Sequence, residues 1–318
     1  MIAVLGAFDG FHRGHALLFE RAKALAKPRE LEWGAVTFDP HPGVFLGNLD
    51  ATLFTFRERE LIQIFLGIPR VVTLEFDDDL VHSPPSLFWE FLSLNVDIDG
   101  VVVGRDFRFG YRRTGDVTLL EHYCREAGVD FLAVDPLEHF GTKISSTAVR
   151  ELVSSGECGL AAKKLGYPYF VWAEIEHGLG RGKELGYPTA NLSVPSRKLL
   201  PANGVYAVAL IVKGQWKAGA LSLGDNPTFD DVQDRRAEVF ILDYEGDLYG
   251  ESFPVLFLFR LRPQVQFKNA EQLVLQIDAD VKRAHDTFRH GFKANSALHA
   301  AFKTAYLKVL AKGKEQAS

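Results

Sequence analysis

The sequence predicts an α/β domain with a parallel sheet, followed by a small antiparallel β-barrel and a C-terminal helix. In the first half, short apolar runs such as IAVLGAF alternate with amphipathic segments such as HALLFERAKALA. From about Tyr169, strand-like runs follow one another with turn residues between them and no helices. After these strands, Leu273, Ile277, Val281 and Phe288 recur at helical spacing, which indicates a helix packed on the barrel.

Each half supports this assignment in its individual elements. In the first half, IAVLGAF, EWGAVTF, RVVTLEF and GVVVG are predicted as buried strands, and HALLFERAKALA, FRERELIQIFLG and PSLFWEFLSL as helices. Such alternation forms βαβ units, whose ligands bind at the carboxyl ends of the strands. In the second half, strands are predicted in FVWAEIEHG, GVYAVALIV, QWKAGALSLG, RAEVFILDY and FPVLFLFRL, and STAVRELVSSGECGLAAKKLG is a helical connection.

The predicted domains are residues 1–168 and 169–290, with a helical tail at 291–318. Because each half has its own strands and its own motifs, we expect each to fold independently. In the tail, Leu298, Phe302 and Val309 are spaced as on an amphipathic helix, which would dock on the surface or on a partner.

Composition and charge exclude several classes of protein. The chain has 318 residues, of which 47% are hydrophobic and 24% charged, so it is long enough for two globular cores. A net charge of −5 provides no broad cationic surface for a nucleic-acid duplex. Cys124 and Cys158 form no metal or disulfide motif, and no signal peptide or spanning helix is evident. These features predict a cytoplasmic protein with no membrane association, leave small anionic ligands open and indicate no obligatory protein partner.

The stretch GAFDGFHRGHALLFERA places two histidines at the start of a helix-like run. His12 and His15 would share one face of the first helical turn. Free backbone N–H groups and the helix dipole favour an anion there, and imidazole donors could follow charge developing on phosphate oxygens. Gly10 and Gly14 permit close approach to a ligand. The alternatives are a helix start that happens to contain histidine and a metal site completed by His41.

The segment KISSTAVRE combines hydroxyl groups with an arginine at a predicted helix start. Ser146 or Thr147 could simply be an N-cap, which is the structural alternative. Arg150 lies one turn into the helix, where its guanidinium can share a phosphate with the capping hydroxyl and the free N–H groups. This segment is therefore a second candidate for phosphate binding.

A third candidate, VVVGRDFRFGYRRTGD, runs from a predicted strand into a loop rich in aromatic and basic residues. Phe107 and Phe109 stand beside several arginines. Such rings are usually packed against the protein with a solvated rim, and the alternative is a site for a planar phosphorylated ligand.

In the second half, HGLGRGKELGYPTANL contains a loop with more glycine than a simple turn needs. Its backbone N–H groups, with Arg181 and Lys183 nearby, suit phosphate binding. Thr189 and Asn191 are two residues apart on a predicted strand, so both project from one face, where their oxygens could hold Mg²⁺. The alternative is a strand with an ordinary polar face.

Taken in order, these motifs resemble the bacterial bifunctional riboflavin kinase/FMN adenylyltransferase family over about residues 1 to 288. GxFDGxHxGH and ISSTxxR resemble the HxGH nucleotidyltransferase superfamily, and GxDFRFGxxRxGD and TFDPHP its FMN adenylyltransferases. GRGKELGYPTANL, GVYAV, SLGDNPTF, EVFILDYEGDLYG and LRPQVQF follow the pattern of riboflavin kinase. The resemblance implies a Rossmann-like nucleotidyltransferase domain followed by a riboflavin kinase barrel.

The resemblance also implies the role of each site residue. His12 and His15 would be catalytic in adenylyl transfer, and Glu238 would be the catalytic base of the kinase. Binding of ATP and its phosphates is implied for Gly6, Phe8, Asp9, Gly10, Gly14, Ser145, Ser146, Thr147, Arg150, Gly178, Gly180, Arg181, Gly182 and Lys183. Flavin binding is implied for Asp106, Phe107, Arg108 and Phe109, and Mg²⁺ binding for Thr189 and Asn191.

The implied reactions convert riboflavin and ATP to FMN, then FMN and a second ATP to FAD and pyrophosphate, with Mg²⁺ in both steps. One alternative is a nucleotidyltransferase for another phosphorylated substrate. Such an enzyme would not need a barrel with the PTAN motif of residues 188–191. Another is a degenerate flavin-binding regulatory protein, which would be expected to have lost His12, His15, Thr189 or Glu238. For Glu238 alone, the alternative is a solvated carboxylate paired with Arg235 or Arg236.

Overall fold

The computed structural model describes residues 1–139, 141–176, 186–225, 235–292 and 295–316. The chain forms two compact units, which differ in architecture. Unit 1 comprises Met1–Thr52 and Ile62–Ser146, and unit 2 comprises Leu53–Leu61 and Thr147–Ser318. A short stretch of the first half of the sequence therefore belongs to unit 2.

Unit 1 contains the predicted parallel sheet. Its strands are β1 (Ile2–Leu5), β2 (Trp33–Asp39), β3 (Arg70–Glu75), β4 (Gly100–Gly104) and β5 (Asp130–Val134), in the order β3-β2-β1-β4-β5. The helices between them in the sequence are α1 (Arg13–Ala26), α2 (Pro42–Phe45), α3 (Phe56–Phe65), α4 (Asp78–His82), α5 (Pro85–Asn95) and α6 (Val117–Glu126). Helix α3 is divided, because its residues up to Leu61 belong to unit 2. Two short antiparallel strands of two residues each, β6 (Glu138–His139) and β7 (Thr142–Lys143), follow β5.

The strand order places the functional motifs of unit 1 at one edge of the sheet. From β1 the chain proceeds outward through β2 and β3, then crosses back to β4 on the other side of β1. The direction of winding reverses between β1 and β4, which is the switch point of the sheet. Ligands of open α/β sheets bind at the carboxyl ends of the strands at such a point. The GAFDG turn follows β1 and the RDFRF loop follows β4.

Unit 2 is built around the predicted antiparallel barrel. Its strands are β8 (Phe170–Glu176), β9 (Thr189–Ser193), β10 (Gly204–Val212), β11 (Gln215–Asp225), β12 (Arg235–Ile241) and β13 (Ser252–Arg262), closed in the order β10-β11-β12-β9-β8-β13. Leu221, Leu223 and Val239 are fully buried, whereas Ser222 and Glu238 alternate with them on the opposite face. The prediction of a parallel sheet followed by an antiparallel barrel is confirmed.

The connection before the barrel is two helices rather than one. Helix α7 (Ser146–Ser154) ends before Gly156, and α8 (Cys158–Leu165) begins after it. Gly156 has a φ of +84°, and a Cβ there would lie 2.8 Å from the Tyr206 hydroxyl. The left-handed backbone and the close approach both favour glycine, so the helix breaks at this position.

Two helices follow the barrel strands. Helix α9 (Ala270–Asp286) begins at the N-cap Asn269, whose side chain accepts a hydrogen bond from Gln272 N, and it leads into a π-helical turn, Thr287–Phe292. The tail forms α10 (Ser296–Gln316), whose Phe302 and Tyr306 pack on Phe170 and Trp172 of β8. The sequence predicted that the tail helix docks either on the protein's own surface or on a partner. In the structure it packs on strand β8 of the same chain.

We expect the packing of α10 to weaken in acid because of His299. This side chain stacks on Phe292 at a centroid distance of 3.4 Å, and burial lowers its pKa from 6.5 to about 4. Between these two pKa values the unfolded chain binds a proton that the folded chain excludes, so stability falls as the pH drops through this window. The melting temperature should fall between about pH 7 and about pH 5, and this fall should be smaller for His299→Phe than for wild type. We call this fall the acid shift.

The matched control for this experiment is His290→Phe, because His290 is exposed in the segment just before α10. Its acid shift in melting temperature should equal that of wild type. Equal acid shifts for His299→Phe and wild type would show that His299 does not sense pH through its burial.

Candidate active sites

The two histidines of unit 1 meet at the start of α1. His12 is the N-cap, in extended conformation, and its Nδ1 accepts a hydrogen bond from the backbone N–H of His15 at 3.3 Å. The two imidazole rings stack with centroids 3.7 Å apart. Because His12 Nδ1 is an acceptor, neutral His12 carries its proton on Nε2, where it can be donated to a ligand.

His15 has the properties of a residue that contacts a ligand. Burial, and then the charge of His12, lower the pKa of His15 well below its usual value, so the imidazole is neutral at neutral pH. Its buried Nδ1 has no hydrogen-bond partner among the described residues. Buried polar atoms rarely stay unpaired in native proteins. A phosphate oxygen bound at the N-terminus of α1 would supply the missing partner.

The turn that leads into α1 has an unusual backbone. Phe8 and Phe11 have positive φ values of 46° and 38°, and their rings stack with centroids 5.5 Å apart. A Cβ at Gly6 would lie 2.9 Å from the ring of Phe8, so glycine is needed there. Asp9 is buried beside them. The aromatic cluster holds the left-handed residues and thereby fixes the position of the histidines, in keeping with strained backbone at functional sites.

Contacts within unit 1 bring the predicted motifs close to one another. A Cβ at Gly14 would lie 3.1 Å from His12 Nδ1 and 3.6 Å from the carbonyl oxygen of Ile144, in the KISST segment. Lys143, at the start of that segment, donates a hydrogen bond to Asp106 of the DFRFG loop. The histidine turn, the beginning of the KISST segment and the DFRFG loop therefore adjoin at the carboxyl edge of the sheet.

The KISST segment leads into α7, and the two units divide within it. Ser145 and Ser146 belong to unit 1, whereas Thr147 and Arg150 belong to unit 2. Ser146 is the first residue of α7, so the hydroxyl groups lie at a helix N-terminus, as predicted from the sequence. Such a position suits an anion.

The DFRFG loop combines core residues with exposed charges. Phe109 is buried in the core of unit 1, and Phe107 packs beside it, their ring centroids 5.9 Å apart. Arg108 forms an ion pair with Asp116, the N-cap of α6, at 3.3 Å. Burial alone would raise the pKa of Asp106, but the hydrogen bond and charge of Lys143 hold it below its usual value. Phe109 thus fits the packing alternative, while the ionised Asp106 is accessible.

The TFDPHP segment supports the histidine turn. Thr37 is buried and donates a hydrogen bond to the carbonyl oxygen of Ala7 at 3.2 Å. His41 is the N-cap of α2, and its Nδ1 accepts from Gly43 N at 3.0 Å. In the described ranges, no group of three or more His, Cys, Asp or Glu side chains could hold a metal ion.

In unit 2, the barrel strands bring together the three residues predicted as the catalytic base and the metal ligands of the kinase. Asn191 of β9 and Glu238 of β12 are directly opposite each other, and Glu238 is opposite Ser222 of β11. The Thr189 hydroxyl donates to Glu238 Oε2 at 3.4 Å. The carboxylate, the hydroxyl and the amide oxygen therefore converge on one face of the barrel.

A cavity of about 540 Å³ lies against this face of the barrel. Asn203, Asp225, Arg236 and Gln264 line it with Glu238. Of these lining residues, only Glu238 was predicted as a site residue. Asp225 lies in SLGDNPTF and Gln264 in LRPQVQF, so two quoted motifs reach the cavity, whereas Asn203 belongs to none of the quoted motifs and is brought there by the closure of the barrel.

Arg235 does not pair with Glu238 in the described structure. Its Nη2 donates to the Pro201 carbonyl and to Asn203 Oδ1, both at 2.6 Å, and its Nε lies 3.8 Å from Asp225 Oδ1. The predicted alternative, an ion pair of Glu238 with Arg235 or Arg236, is absent among the described contacts. Glu238 is half-buried and lines the cavity.

Part of the predicted ATP site belongs to the glycine-rich loop that precedes Tyr187 in the sequence. The glycine-rich loop residues Gly178, Gly180, Arg181, Gly182 and Lys183 lie outside the described residues. Tyr187, just after that loop, donates a hydrogen bond to Asp278 of α9. Its ring packs edge-on against Phe240 of β12, with centroids 5.3 Å apart. Tyr187 therefore lies beside the strand that carries Glu238.

A parallel sheet with paired histidines at its switch point, joined to a barrel with a carboxylate in a polar cavity, is the architecture of a two-domain, nucleotide-dependent transferase. Comparisons with known proteins agree with this class. A family model described as FAD synthetase matches residues 1–148, and one described as riboflavin kinase matches residues 165–288. The chain belongs to the bifunctional riboflavin kinase/FMN adenylyltransferase family.

Individual relatives support the family assignment over nearly the full chain. The protein of that name from Listeria monocytogenes is 33% identical over 282 residues, covering 88% of this chain and 90% of the relative. The one from Escherichia coli K12 is 30% identical over 291 residues, covering 90% and 92%. A crystal structure described as a macrolide-efflux protein from Streptococcus pneumoniae is 32% identical, with a TM-score of 0.82 over 91% of this chain and 94% of that one. Within the described part of this chain, no helix is long and apolar enough to cross a membrane.

Proposed function

We propose that this protein phosphorylates riboflavin with ATP to give FMN, and then adenylylates FMN with a second ATP to give FAD and pyrophosphate. Membership of the family, with both of its domains matched, supports the two activities. The observation that carries the proposal is the convergence of Thr189, Asn191 and Glu238 on the barrel face that lines the cavity. We place the domain boundaries at about residues 168 and 290.

In adenylyl transfer, an oxygen of the FMN phosphate attacks the α-phosphorus of ATP and pyrophosphate leaves. His12 and His15 donate hydrogen bonds to the triphosphate and stabilise the charge that develops on it. The N-terminus of α1 contributes free N–H groups and the positive end of its dipole. The proposed ATP contacts in this half are Gly6, Phe8, Asp9, Gly10, Gly14, Ser145, Ser146, Thr147 and Arg150.

The flavin of FMN is proposed to bind at the loop after β4. Asp106 is accessible and held by Lys143, and Arg108 and Phe107 lie next to it in the loop. Phe109 supports this loop from the core. Because the loop follows β4, adjacent to β1, flavin bound there adjoins the nucleotide at the switch point.

In the kinase, the ribityl hydroxyl of riboflavin attacks the γ-phosphorus of ATP, and ADP leaves. Glu238 accepts the proton of that hydroxyl as the new O–P bond forms. The Thr189 hydroxyl at 3.4 Å orients the carboxylate. The proposed phosphate contacts of the glycine-rich loop are Gly178, Gly180, Arg181, Gly182 and Lys183.

Mg²⁺ is proposed as the metal of both steps. In the barrel, the side-chain oxygens of Thr189 and Asn191 face the same side as the Glu238 carboxylate, and such hard oxygen donors suit Mg²⁺. When bound, Mg²⁺ would neutralise charge on the nucleotide phosphates. Thr189 and Asn191 are the residues that would hold it.

We further propose a cytoplasmic location and no partners beyond the small-molecule substrates. Both cysteines are free and buried, and burial raises the pKa of Cys124 and of Cys158 to about 12. Both thiols are therefore protonated at neutral pH, and neither cysteine forms a disulfide bond.

The test of the proposed function is incubation of the full chain with riboflavin, ATP and Mg²⁺, with separation of the flavins by chromatography. FMN should appear first and FAD after it. FMN alone would show that the α/β unit lacks adenylyltransferase activity, and the absence of both products would overturn the proposal.

We expect a fragment from Tyr169 to the C-terminus to phosphorylate riboflavin without the rest of the chain. It retains the barrel, Glu238 and α9, but it lacks Leu53–Leu61 and residues 147–168 of unit 2, which include α8, most of α7 and the buried carboxylate of Glu58. Loss of these buried parts should lower the melting temperature by more than about 10 °C relative to the full chain and raise the KM for riboflavin. Circular dichroism and an FMN assay measure both effects, and an insoluble or inactive fragment would contradict independent folding.

A further inference from the structure

Unit 2 contains a fully buried ion pair whose two residues are far apart in the sequence. Glu58 of α3 and Lys198, before β10, are both 0% exposed in their side chains, and Lys198 Nζ lies 2.9 Å from Glu58 Oε2. Glu58 also accepts hydrogen bonds from Trp172 N at 2.6 Å and Thr55 N at 2.7 Å. Charges buried this completely persist only when they are paired and hydrogen-bonded.

The ammonium group also has an aromatic environment. Lys198 Nζ lies 4.3 Å from the ring centroids of both Phe54 and Tyr169, and it donates a hydrogen bond to the Leu53 carbonyl. Cation–π contacts of this kind are strongest when the cation is desolvated. The position of Lys198 is therefore fixed from several directions, and Glu58 supplies the counter-charge.

The chain from Lys198 to Asn203 connects this ion pair to the kinase cavity. Along it, the Leu199 carbonyl accepts from the Tyr169 hydroxyl at 2.5 Å, and Arg235 donates to Pro201 and Asn203. Asn203 Nδ2 donates to Asp225 Oδ2 at 2.5 Å. Asn203 and Asp225 both line the cavity that contains Glu238. One end of this cavity-wall segment, residues 198–203, is thus fixed by the ion pair and the other by Arg235.

We propose that Glu58 is a positioning residue for the riboflavin kinase reaction, acting through Lys198 on the cavity-wall segment. This inference rests on the proposed kinase function. Glu58 lies outside residues 165–288, the range matched by the riboflavin kinase family model. The wall of the kinase cavity is therefore held by a residue from the half of the sequence that carries the adenylyltransferase motifs.

The first variant to test is Glu58→Gln in the full chain, which leaves the Lys198 ammonium buried without its counter-charge. Its melting temperature should fall by about 10 °C. Assayed well below that temperature, its KM for riboflavin should rise about tenfold, because the wall carrying Asn203 is no longer held, whereas kcat should change much less. Glu60→Gln, two residues along α3 at an exposed ion pair with Lys312, should match wild type in both measurements.

A stability-matched control separates positioning from simple destabilisation. Leu61 is fully buried on the same helix, and Leu61→Ala should lower the melting temperature to a similar extent. Positioning by Glu58 requires that the KM for riboflavin stays near wild type in Leu61→Ala and rises in Glu58→Gln. Equal KM values in the two variants would overturn the proposal.

A double variant keeps the proposal testable if Glu58→Gln does not fold. In Glu58→Met/Lys198→Met both buried charges are removed, and apolar side chains of similar volume often preserve stability. Methionine makes no directional bond to the Leu53 carbonyl, so the KM for riboflavin should still rise. A folded double variant with wild-type KM would overturn the proposal. Failure of wild type to form FMN would instead overturn the kinase function on which the proposal rests.

Discussion

Glu238→Gln is expected to lower FMN formation from riboflavin by about two to four orders of magnitude, because glutamine keeps the shape of the side chain but cannot accept the proton. The carboxylate of Glu238 lies beside Thr189 and Asn191 of the neighbouring strand β9, and it lines the cavity, where the ribityl hydroxyl must reach it. The loss should appear in kcat, with the melting temperature unchanged. FMN supplied to the same variant should still be converted to FAD, since that step uses the α/β unit.

Two comparisons define this result more closely. Glu174→Gln changes an exposed carboxylate on β8 of the same barrel and should retain wild-type activity. Thr189→Ala should weaken the kinase through metal and nucleotide binding, so raised Mg²⁺ or ATP should partly restore it, and should not restore Glu238→Gln. Near-normal riboflavin phosphorylation by Glu238→Gln would return Glu238 to the role of a surface carboxylate.

The fold was predictable from sequence wherever periodicity was strong. The β1 and β4 strands are continuous apolar runs, β2 and β3 have apolar stretches, and the barrel strands are separated by clear turns, so both classes of sheet could be predicted. The fifth parallel strand, β5, was missed because DFLAV is short and only half-buried along its length. The break between α7 and α8 was also missed, because the turn at Gly156 is imposed by packing against Tyr206, which no local pattern reveals.

The candidate sites were predictable only where their residues lie within a motif. His12 and His15 are three residues apart, and Thr189 and Asn191 two apart, so local geometry alone places each pair on one face. The contact of Thr189 and Asn191 with Glu238 depends on the pairing of β9 with β12. The motifs implied this pairing through the family resemblance and not through their spacing.

Residues that support the sites from a distance could not be predicted. Glu58 and Lys198 each look like ordinary surface charges in the sequence, and their complete burial follows from the way Leu53–Leu61 joins unit 2. Asn203, which lies outside every quoted motif, is likewise an ordinary loop residue until the barrel closes. Long-range contacts of this kind leave no periodic signal, because they depend on tertiary packing alone.

The last prediction concerns His15→Ala, and its matched control is His122→Ala. His122 is half-exposed on α6 and lies 3.4 Å from Glu126, one turn along the same helix. Removal of this imidazole should leave FAD and FMN formation unchanged, so a general effect of losing a histidine can be separated from an effect at the nucleotide.

His15→Ala should reduce FAD formation from FMN and ATP by roughly a hundredfold or more, the effect of removing one preorganised donor to a developing charge. Its buried Nδ1 has no partner among the described residues, and its lowered pKa keeps the imidazole neutral at neutral pH. A neutral donor can hydrogen-bond to the triphosphate without placing a positive charge beside the stacked ring of His12. Riboflavin phosphorylation should be retained, because the barrel carries that reaction. A parallel fall in both activities would show that His15 is structural, since its loss would then act through the fold and not through the triphosphate.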